Sequence, residues 1–395
     1  MGIANPPPDR ADPTPEVHGL RDENIGAQRT IPVVRSSMPP LEDYLAEIEP
    51  LWTSRWLTNR GAIHERFADA LSHRMSAPYA ALFTNGHLAL EGILDGLRVH
   101  GEVITTPFTF ASTTHALTRR GLKPVFADIS EGDFTIDPEA IRRQITPATT
   151  AILAVHIYGN LCDVHAIQSI ADEHGLKVIY DAAHAFDVSL DGVNSAVFGD
   201  ACMYSFHATK VFHSIEGGLA VVRTPELAER LYSLQNFGLT GPEAVTSVGG
   251  NGKLSEFAAA MGLCNLRLLD REIDRRGHAY RAYMKRLRGV QGLHIPPQRP
   301  NATPNYSYMP VQIRAEDFGS DRDQVFGQLS RAGVGARKYF YPLVSDYEAY
   351  AGQFDSRLTP VAARVSNEIL TLPLYADLTM DEVDYICDIV LRQKA

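Results

Sequence analysis

The sequence predicts an α/β fold in which helices cover both faces of a mainly parallel sheet. From about residue 79, short β-rich runs alternate with amphipathic helical segments such as Leu88–Val99 and Asp163–His174. This alternation is typical of parallel sheets with crossover helices, and several runs are apolar throughout, as strands buried on both faces are. The predicted strands are Ala80–Phe83, Val103–Thr106, Pro124–Ala127, Thr150–Ile157, Lys177–Tyr180, Ala201–Ser205 and Gly218–Val222.

Helical patterns flank this region on both sides. Leu41–Leu71 has a helical pattern that breaks around Trp56–Gly61, and a long helical pattern over Lys253–Arg281 leads out of the sheet region. Because 395 residues are too many for one typical core, we expect two domains after an N-terminal segment rich in Pro, Asp and Arg. The expected parts are a flexible arm (1–35), a large cofactor-binding domain (36–275) and a smaller C-terminal α/β domain (276–395).

Composition and charge argue against two classes of partner. The formal net charge is -10, whereas nucleic acids and anionic membranes bind basic surfaces. No apolar stretch reaches the roughly 18 residues of a membrane span, and the N-terminus lacks the basic-then-apolar pattern of a signal peptide. The four cysteines are far apart and form no C-x-x-C pair. We therefore expect free thiols, no metal site and a cytoplasmic protein.

One of the seven lysines, Lys210, stands in an unusual context. It follows the apolar run Ala201–Phe206 and precedes the segment Ile215–Gly218. A lysine just past a buried strand can be held in a pocket, where desolvation lowers its pKa and makes the amine a nucleophile or a Schiff-base former. A solvated loop lysine is the alternative for Lys210 taken alone, but its companions favour the pocket.

Three further segments follow predicted strands. Asp181 ends the run Lys177–Tyr180, at the edge where ligands bind in open α/β sheets, and its carboxylate can pair with a protonated pyridine nitrogen. A helix N-cap is the alternative for this aspartate. The turn Thr84–His87 opens a helix and can present backbone N–H groups to a phosphate. Phe108 and Phe110 follow another strand, and each can stack on a flat ring or pack in the core.

Together these segments resemble the DegT/DnrJ/EryC1/StrS family of fold-type I pyridoxal 5′-phosphate (PLP) enzymes, which are mostly nucleotide-sugar aminotransferases. The resemblance runs through most of the chain and is most specific in the Asp-Ala-Ala-His segment and in the segment that ends at Lys210. The matching segments are Trp56–Thr58, Thr84–Gly86, Thr106–Phe110, His156–Gly159, Asp181–His184, Ser205–Lys210, Glu216–Gly218, Asn251–Glu256 and Leu372–Tyr375.

The resemblance implies catalytic and ring-binding roles for four residues. Lys210 matches the lysine that holds PLP as a Schiff base, and Asp181 matches the partner of the pyridine nitrogen. His184 matches the residue beside the hydroxyl of the ring, and Phe110 matches the aromatic residue that stacks on the ring.

The resemblance also implies how the phosphate is bound. Gly86, His87 and Ser205 fall at phosphate-binding positions, and Asn251 matches an asparagine that reaches the phosphate from a neighbouring subunit. A homodimer with shared active sites is therefore implied. His87 departs from the family pattern, in which Thr or Ser is frequent at this position, and so does the Gly-Lys pair that follows Asn251.

The presence of Lys210 implies an aminotransferase, because some relatives with histidine at this position are dehydratases. The Asp181–His184 segment is more similar to enzymes that act on 4-keto-6-deoxy sugars, so we expect transfer from glutamate to a nucleotide-linked sugar of this kind, carried on dTDP. A 3-keto sugar aminotransferase and a PLP-binding regulatory protein without turnover stay open. Candidate cations for the diphosphate are Arg337, Lys338 and Lys253, each of which is equally compatible with a solvated surface charge.

Overall fold

The computed structural model describes residues 30–77 and 79–394. Most of the predicted N-terminal arm, residues 1–29, lies outside these ranges. Close to the start of the described chain, Ile31 is fully buried and pairs in parallel with Val334. No helix in the described ranges has both the length and the apolar character needed to cross a bilayer.

Helices and strands alternate through the first two thirds of the chain. The α-helices of the described residues are α1 (Leu41–Ile48), α2 (Pro50–Ser54), α3 (Ala62–Met75), α4 (Gly86–Gly96), α5 (Ala111–Arg119), α6 (Pro138–Gln144), α7 (Val164–His174), α8 (Pro225–Leu234), α9 (Glu256–Leu287), α10 (Ala315–Phe318), α11 (Arg322–Arg331), α12 (Pro360–Glu368) and α13 (Met380–Leu391). The strands are β1 (Ala80–Phe83), β2 (Glu102–Thr105), β3 (Lys123–Phe126), β4 (Thr149–Val155), β5 (Lys177–Asp181), β6 (Ser189–Leu190), β7 (Val193–Asn194), β8 (Ala201–Ser205), β9 (Gly218–Val222), β10 (Leu239–Gly241), β11 (Ala244–Val245), β12 (Leu293–His294), β13 (Ala302–Thr303), β14 (Met309–Ile313) and β15 (Ile369–Leu372).

A seven-stranded sheet lies at the centre, in the order β1-β9-β8-β5-β4-β2-β3. Strand β9 runs antiparallel to both of its neighbours, and the other strands all run in one direction. These seven strands are the ones predicted from the sequence; three have the predicted ends, and the ends of the other four differ by at most two residues. The carboxyl ends of β1, β5 and β8 therefore meet at one edge, together with the beginning of β9.

Both faces of this sheet are buried, as its apolar strands predict. Successive residues of a strand point to opposite faces. In β5, Val178 packs in a core with α3, α7 and α9, whereas Ile179 packs in a second core with α4, α5 and α8. Helices thus cover both faces of a mainly parallel sheet, which confirms the predicted arrangement.

A further core joins the C-terminal elements. Strands β12, β14 and β15 form a small sheet, and the apolar side chains of β14 and β15 pack against the end of α9, α11 and α13. Helix α9 runs without a break from Glu256 to Leu287 and therefore crosses the predicted domain boundary at residue 275. The division into two domains at that position stays a prediction.

The beginning of α9 also holds the beginning of α3. Glu256 is completely buried, and its carboxylate accepts hydrogen bonds from the backbone N–H groups of Gly61 at 2.9 Å, Ile63 at 2.9 Å and His64 at 3.3 Å. The first N–H groups of a helix have no intrahelical partner, and a negative charge is favourable at this end. One side chain thus docks α9 onto α3, which covers part of the sheet.

Replacing Glu256 with alanine should destabilise the fold by about 3 kcal/mol, because three backbone donors lose their acceptor where water has little access. The measurement is the midpoint of thermal unfolding by circular dichroism. Glu42→Ala is the matched control: Glu42 is also in the first turn of a helix but is exposed, so its midpoint should change little. Equal midpoints for the two variants would contradict the role of Glu256.

Candidate active site

A cavity of about 310 Å³ opens at the sheet edge where β1, β5 and β8 end. Its walls come from these strand ends, from the beginnings of α4 and α5, from the loop after β8, and from residues between 308 and 340. The structure brings most of the predicted site residues together here. Those that line the cavity are Gly86, His87, Phe110, Asp181, His184, Ser205 and Lys210.

Lys210 points into this cavity from the loop after β8. Its backbone N–H donates to the carbonyl oxygen of His207 at 2.9 Å, and among the described residues its Nζ has no hydrogen-bond or ion-pair partner. Burial lowers the pKa of Lys210 to about 8, although the negative charge of Asp181 opposes this shift. The amine is therefore available as a nucleophile and as a proton carrier near neutral pH.

Asp181 is the last residue of β5 and is only 5% exposed. Its Oδ2 accepts a hydrogen bond from the hydroxyl of Thr113 at 2.8 Å, and its Oδ1 accepts one from the backbone N–H of Ala183 at 3.1 Å. Burial raises the pKa of this carboxyl, while these two hydrogen bonds and the positive charge of Lys210 oppose the shift. No cationic side chain of the described residues forms an ion pair with Asp181, so the carboxylate can accept a cationic N–H group from a ligand.

His184 presents a fixed N–H donor in the cavity wall. Burial, reinforced by the positive charge of Lys210, holds the pKa of His184 well below its usual range, so the ring is neutral. Its Nδ1 accepts a hydrogen bond from the backbone N–H of Tyr158 at 3.2 Å, which leaves the ring proton on Nε2. That Nε2 lies 3.5 Å from the hydroxyl oxygen of Tyr308 and can donate to a ring hydroxyl on a ligand.

The beginning of α4 forms an anion site. Asn85 caps the helix, since its side-chain oxygen accepts a first-turn N–H at 2.9 Å, and the N–H groups of Gly86 and His87 remain for a ligand. A Cβ at Gly218 would collide with the backbone of Asn85 and Gly86, which explains the glycine at the beginning of β9. Ser205, the last residue of β8, lies directly beside Gly86.

Phe110 has 54% of its surface exposed although it lines the cavity. A flat ring placed against it would bury apolar area and gain stacking energy. Phe108 is fully buried and packs against Phe134, Tyr158 and Phe340. The structure thus assigns Phe108 to the core and leaves Phe110 available to stack on a ring, whereas the sequence allowed both roles for each residue.

Asn251 lies outside this cavity. Its side-chain oxygen accepts a hydrogen bond from Nζ of Lys253 at 2.8 Å, and the same Nζ donates to Asn236 at 2.9 Å. A contact from Asn251 to the phosphate in a neighbouring subunit stays a prediction.

The three candidate cations for a diphosphate differ in position. Lys338 forms an ion pair with Asp323 at 2.7 Å, and Lys253 is held by two asparagines. Of the three, Arg337 lines the cavity. Its Nη1 donates to the hydroxyl of Tyr339 at 3.1 Å, and no carboxylate of the described residues pairs with it.

The structure adds residues in the cavity wall, and one directly behind it, that sequence reasoning did not identify. Thr113 holds Asp181, and its own hydroxyl lies 2.9 Å from that of Thr109, one helical turn earlier. Two threonines spaced four residues apart after a predicted strand were the available signal. Tyr308 and Phe340 line the cavity from far along the chain, and no local pattern connects them to Lys210.

These features fit PLP group by group. Lys210 offers an amine to the aldehyde, and Asp181 offers an uncompensated carboxylate to a protonated ring nitrogen. His184 offers a donor to the ring hydroxyl, Phe110 offers a face to the ring, and the beginning of α4 offers N–H groups to the phosphate. The residues present can therefore hold every polar group of this cofactor.

Known proteins resemble this chain over nearly its full length. The family model described as the DegT/DnrJ/EryC1/StrS aminotransferase family matches residues 41–391. The chain is 39% identical over 367 residues to the dTDP-4-amino-4,6-dideoxy-D-glucose transaminase of Shigella dysenteriae, covering 93% of this chain and 100% of that protein. It is also 39% identical over 368 residues to the Escherichia coli protein of the same name, with coverages of 92% and 98%. The crystal structure of DesI in the presence of its TDP-sugar product has a TM-score of 0.88, at 33% identity over 93% of each chain.

In the cofactor-free protein, Lys210 should react with an amine-selective acylating reagent in a titration centred near its pKa of about 8. Only the neutral amine is nucleophilic, and its fraction rises as the pH passes this value. Mass spectrometry of the Lys210 peptide across a pH series measures the midpoint. Lys177, exposed and ion-paired with Asp200 at 2.9 Å, is the internal control and should react more slowly at the same pH. If Lys210 reacts no faster than Lys177, its amine is not desolvated.

Proposed function

Because this chain belongs to the DegT/DnrJ/EryC1/StrS aminotransferase family, we propose that it transfers an amino group from glutamate to C4 of a dTDP-linked 4-keto-6-deoxyhexose, which gives a 4-amino-4,6-dideoxy sugar. The matches confirm the predicted family, the fold-type I class, PLP as the cofactor and a nucleotide-sugar aminotransferase as the enzyme class. One observation carries the choice of acceptor. It is the 39% identity, over nearly the whole chain, to two transaminases whose names specify this kind of sugar.

Bound in the cavity, PLP supplies an electron sink for the charge that develops at the reacting carbon. Asp181 would keep the proton on the ring nitrogen, because its buried carboxylate has no other cationic partner among the residues that the structure describes and gains most from a charged N–H group. Thr113 and the N–H of Ala183 hold this carboxylate in place. His184 would donate from Nε2 to the hydroxyl of the ring, and Phe110 would stack against the ring.

Lys210 moves the proton in both half-reactions. With a pKa of about 8, its amine accepts a proton from the substrate carbon and returns it near neutral pH, as a general base and then a general acid. Once the amino donor has displaced Nζ from the aldehyde, no side chain of the described residues holds the amine, so it is free to reach the substrate carbon.

Arg337 supports anionic substrates for this site. Its guanidinium lines the cavity without a carboxylate partner among the described residues, and donor and acceptor occupy the same cavity in turn. Arg337 can therefore bind a carboxylate of glutamate in one half-reaction and the diphosphate of the sugar nucleotide in the other, since a guanidinium pairs with both kinds of anion.

Exposed apolar side chains support a homodimer. At about 310 Å³, the cavity is at the lower end of ligand pockets, so a bound nucleotide extends beyond it. Two groups of large hydrophobic side chains are exposed in the single chain, and such patches are typical of subunit interfaces. They are Trp52, Trp56 and Leu57 near the end of α2, and Phe237, Val245 and Val248 in the segment that leads to Asn251.

With glutamate as the donor, the enzyme should aminate dTDP-4-keto-6-deoxyglucose at C4 and turn over the matched 3-keto isomer at least about 100-fold more slowly. The diphosphate fixes the sugar in the cavity, and a carbonyl shifted by one ring position is misplaced by more than 1 Å. NMR shows which ring carbon carries the amino group, and mass spectrometry measures how much product forms from each isomer. Turnover of only the 3-keto isomer would overturn the regiochemistry. If the enzyme completes the half-reaction with glutamate but aminates neither sugar, the proposed acceptor class is wrong. Cofactor binding with no glutamate half-reaction would favour the regulatory alternative.

Mixed dimers test the shared site. Lys210→Ala and Asn251→Ala chains, each weak alone, should recover up to about a quarter of wild-type activity after subunit exchange at equal amounts, because half of the dimers are mixed and one of their two sites has both native residues. The control is the double variant mixed with wild-type chains in equal amounts. Its mixed dimers contain no fully native site, so activity should fall on exchange from about half to about a quarter of the wild-type value. Verified exchange without recovery would contradict a shared site.

A further inference from the structure

Four polar side chains form a row beside the anion site at the beginning of α4. The Nδ1 of His87 lies 2.9 Å from the hydroxyl oxygen of Ser112, and its Nε2 lies 3.2 Å from Oε1 of Glu91. The Nε of Arg119 donates to the same carboxylate oxygen at 2.6 Å. His87 and Ser112 both line the cavity, so this row connects the anion site to a buried acid.

The protonation of His87 decides where the hydroxyl of Ser112 points. The carboxylate of Glu91, paired with Arg119, only accepts hydrogen bonds, so Nε2 of His87 carries a proton in both states of the ring. In the neutral ring Nδ1 is an acceptor, and Ser112 gives its single proton to Nδ1. In the charged ring Nδ1 donates to the oxygen of Ser112, and the hydroxyl proton is free to turn toward the cavity.

A phosphate dianion distinguishes between these two states, because all its oxygens are acceptors at neutral pH. Next to a neutral His87, the oxygen of Ser112 presents only lone pairs to the phosphate, which is repulsive. Next to a charged His87, Ser112 donates to the phosphate, and the imidazolium adds a positive charge nearby. Resting on the proposed function, which places a PLP phosphate at this helix, we propose that binding of this phosphate draws one proton onto His87, with Ser112 as the group that couples the two events.

The charges around His87 make this protonation depend on the anion. Glu91 favours the charged ring, whereas Arg119, the amine of Lys210 and the positive end of α4 oppose it. Asp181, across the cavity, favours it from a greater distance. A bound phosphate dianion adds two negative charges to this mixed set of neighbours, and these favour the imidazolium.

One other histidine, His115, lies close to this row on α5. Burial lowers the pKa of His115, and the charges of His87 and Arg119 lower it further. Of these two histidines, His87 is therefore the one that we expect to take up the proton.

Calorimetry with pyridoxamine 5′-phosphate tests the coupling. This probe carries the same phosphate as PLP but has no aldehyde to react with Lys210. Titrations of the cofactor-free protein at about pH 8, in buffers with different ionisation enthalpies, give the number of protons taken up per ligand bound. The wild type should take up about one proton more than His87→Thr, which retains a hydroxyl but cannot be charged.

Two further variants separate this coupling from a merely structural effect. Ser112→Ala keeps His87 but removes the connecting hydroxyl, so the extra uptake should be largely lost. His115→Gln should keep the uptake of the wild type. Equal uptake by wild type, His87→Thr and Ser112→Ala would overturn the coupling, and so would loss of the uptake in His115→Gln. If the wild type binds the probe and takes up no more protons than His87→Thr, only this inference fails. Failure of the wild type to bind the probe at all would overturn the cofactor site and this inference with it.

Discussion

The buried carboxylate of Asp181 is the group on which the electrostatics of the cavity depends. It ends a central strand, and within the described part of the chain its hydrogen bonds come from Thr113 and one backbone N–H. Because burial disfavours the charge, a cation placed in the cavity relieves a cost that the fold itself imposes. The same surroundings lower the pKa of Lys210 to about 8 and keep His184 neutral. One buried region thus provides an anion that needs a cation, an amine that exchanges protons and a fixed N–H donor.

The cavity is complete only because late segments of the chain close it. The ring of Phe340 lies parallel to that of His184, with centroids 6.0 Å apart, and the hydroxyl of Tyr158 bonds to the carbonyl oxygen of Tyr339. Arg337 belongs to this same segment. These contacts join the central sheet to the C-terminal elements, so a relative movement of the two would change the surroundings of the reacting groups.

Local charge, and not the charge of the whole chain, explains how an acidic protein offers an anion site. The formal net charge is -10, but salt screens exposed charges beyond about 10 Å. Lys210, Arg337 and the first residues of α4 all line the cavity, so their positive charge is local to it. The row from Ser112 through His87 to Glu91 adds a response to the anion itself. A binding site for phosphates therefore does not require a basic protein.

The sequence by itself determined the seven central strands and predicted that Lys210 and Asp181 lie close together at their carboxyl ends. These depend on local signals, because an apolar run predicts a buried strand and parallel strands end at one edge wherever their helices lie. The family resemblance then supplied roles for His184 and Phe110, which single-residue reasoning left undecided or did not reach.

Only the tertiary structure decided which side chains surround these residues. The hydrogen bond from Thr113 to Asp181 joins residues 68 positions apart in the sequence, and the contact of Tyr308 with His184 joins residues 124 positions apart. Of the two partners of His87, Glu91 lies four residues further along the same helix, whereas Ser112 comes from another helix and no local pattern connects it to His87. The spacing of apolar residues indicates which face of a helix or strand is buried, but it does not indicate which distant side chain packs there. Hydrogen bonds and pKa shifts depend on that packing at distances of a few ångströms, and only the folded chain sets them.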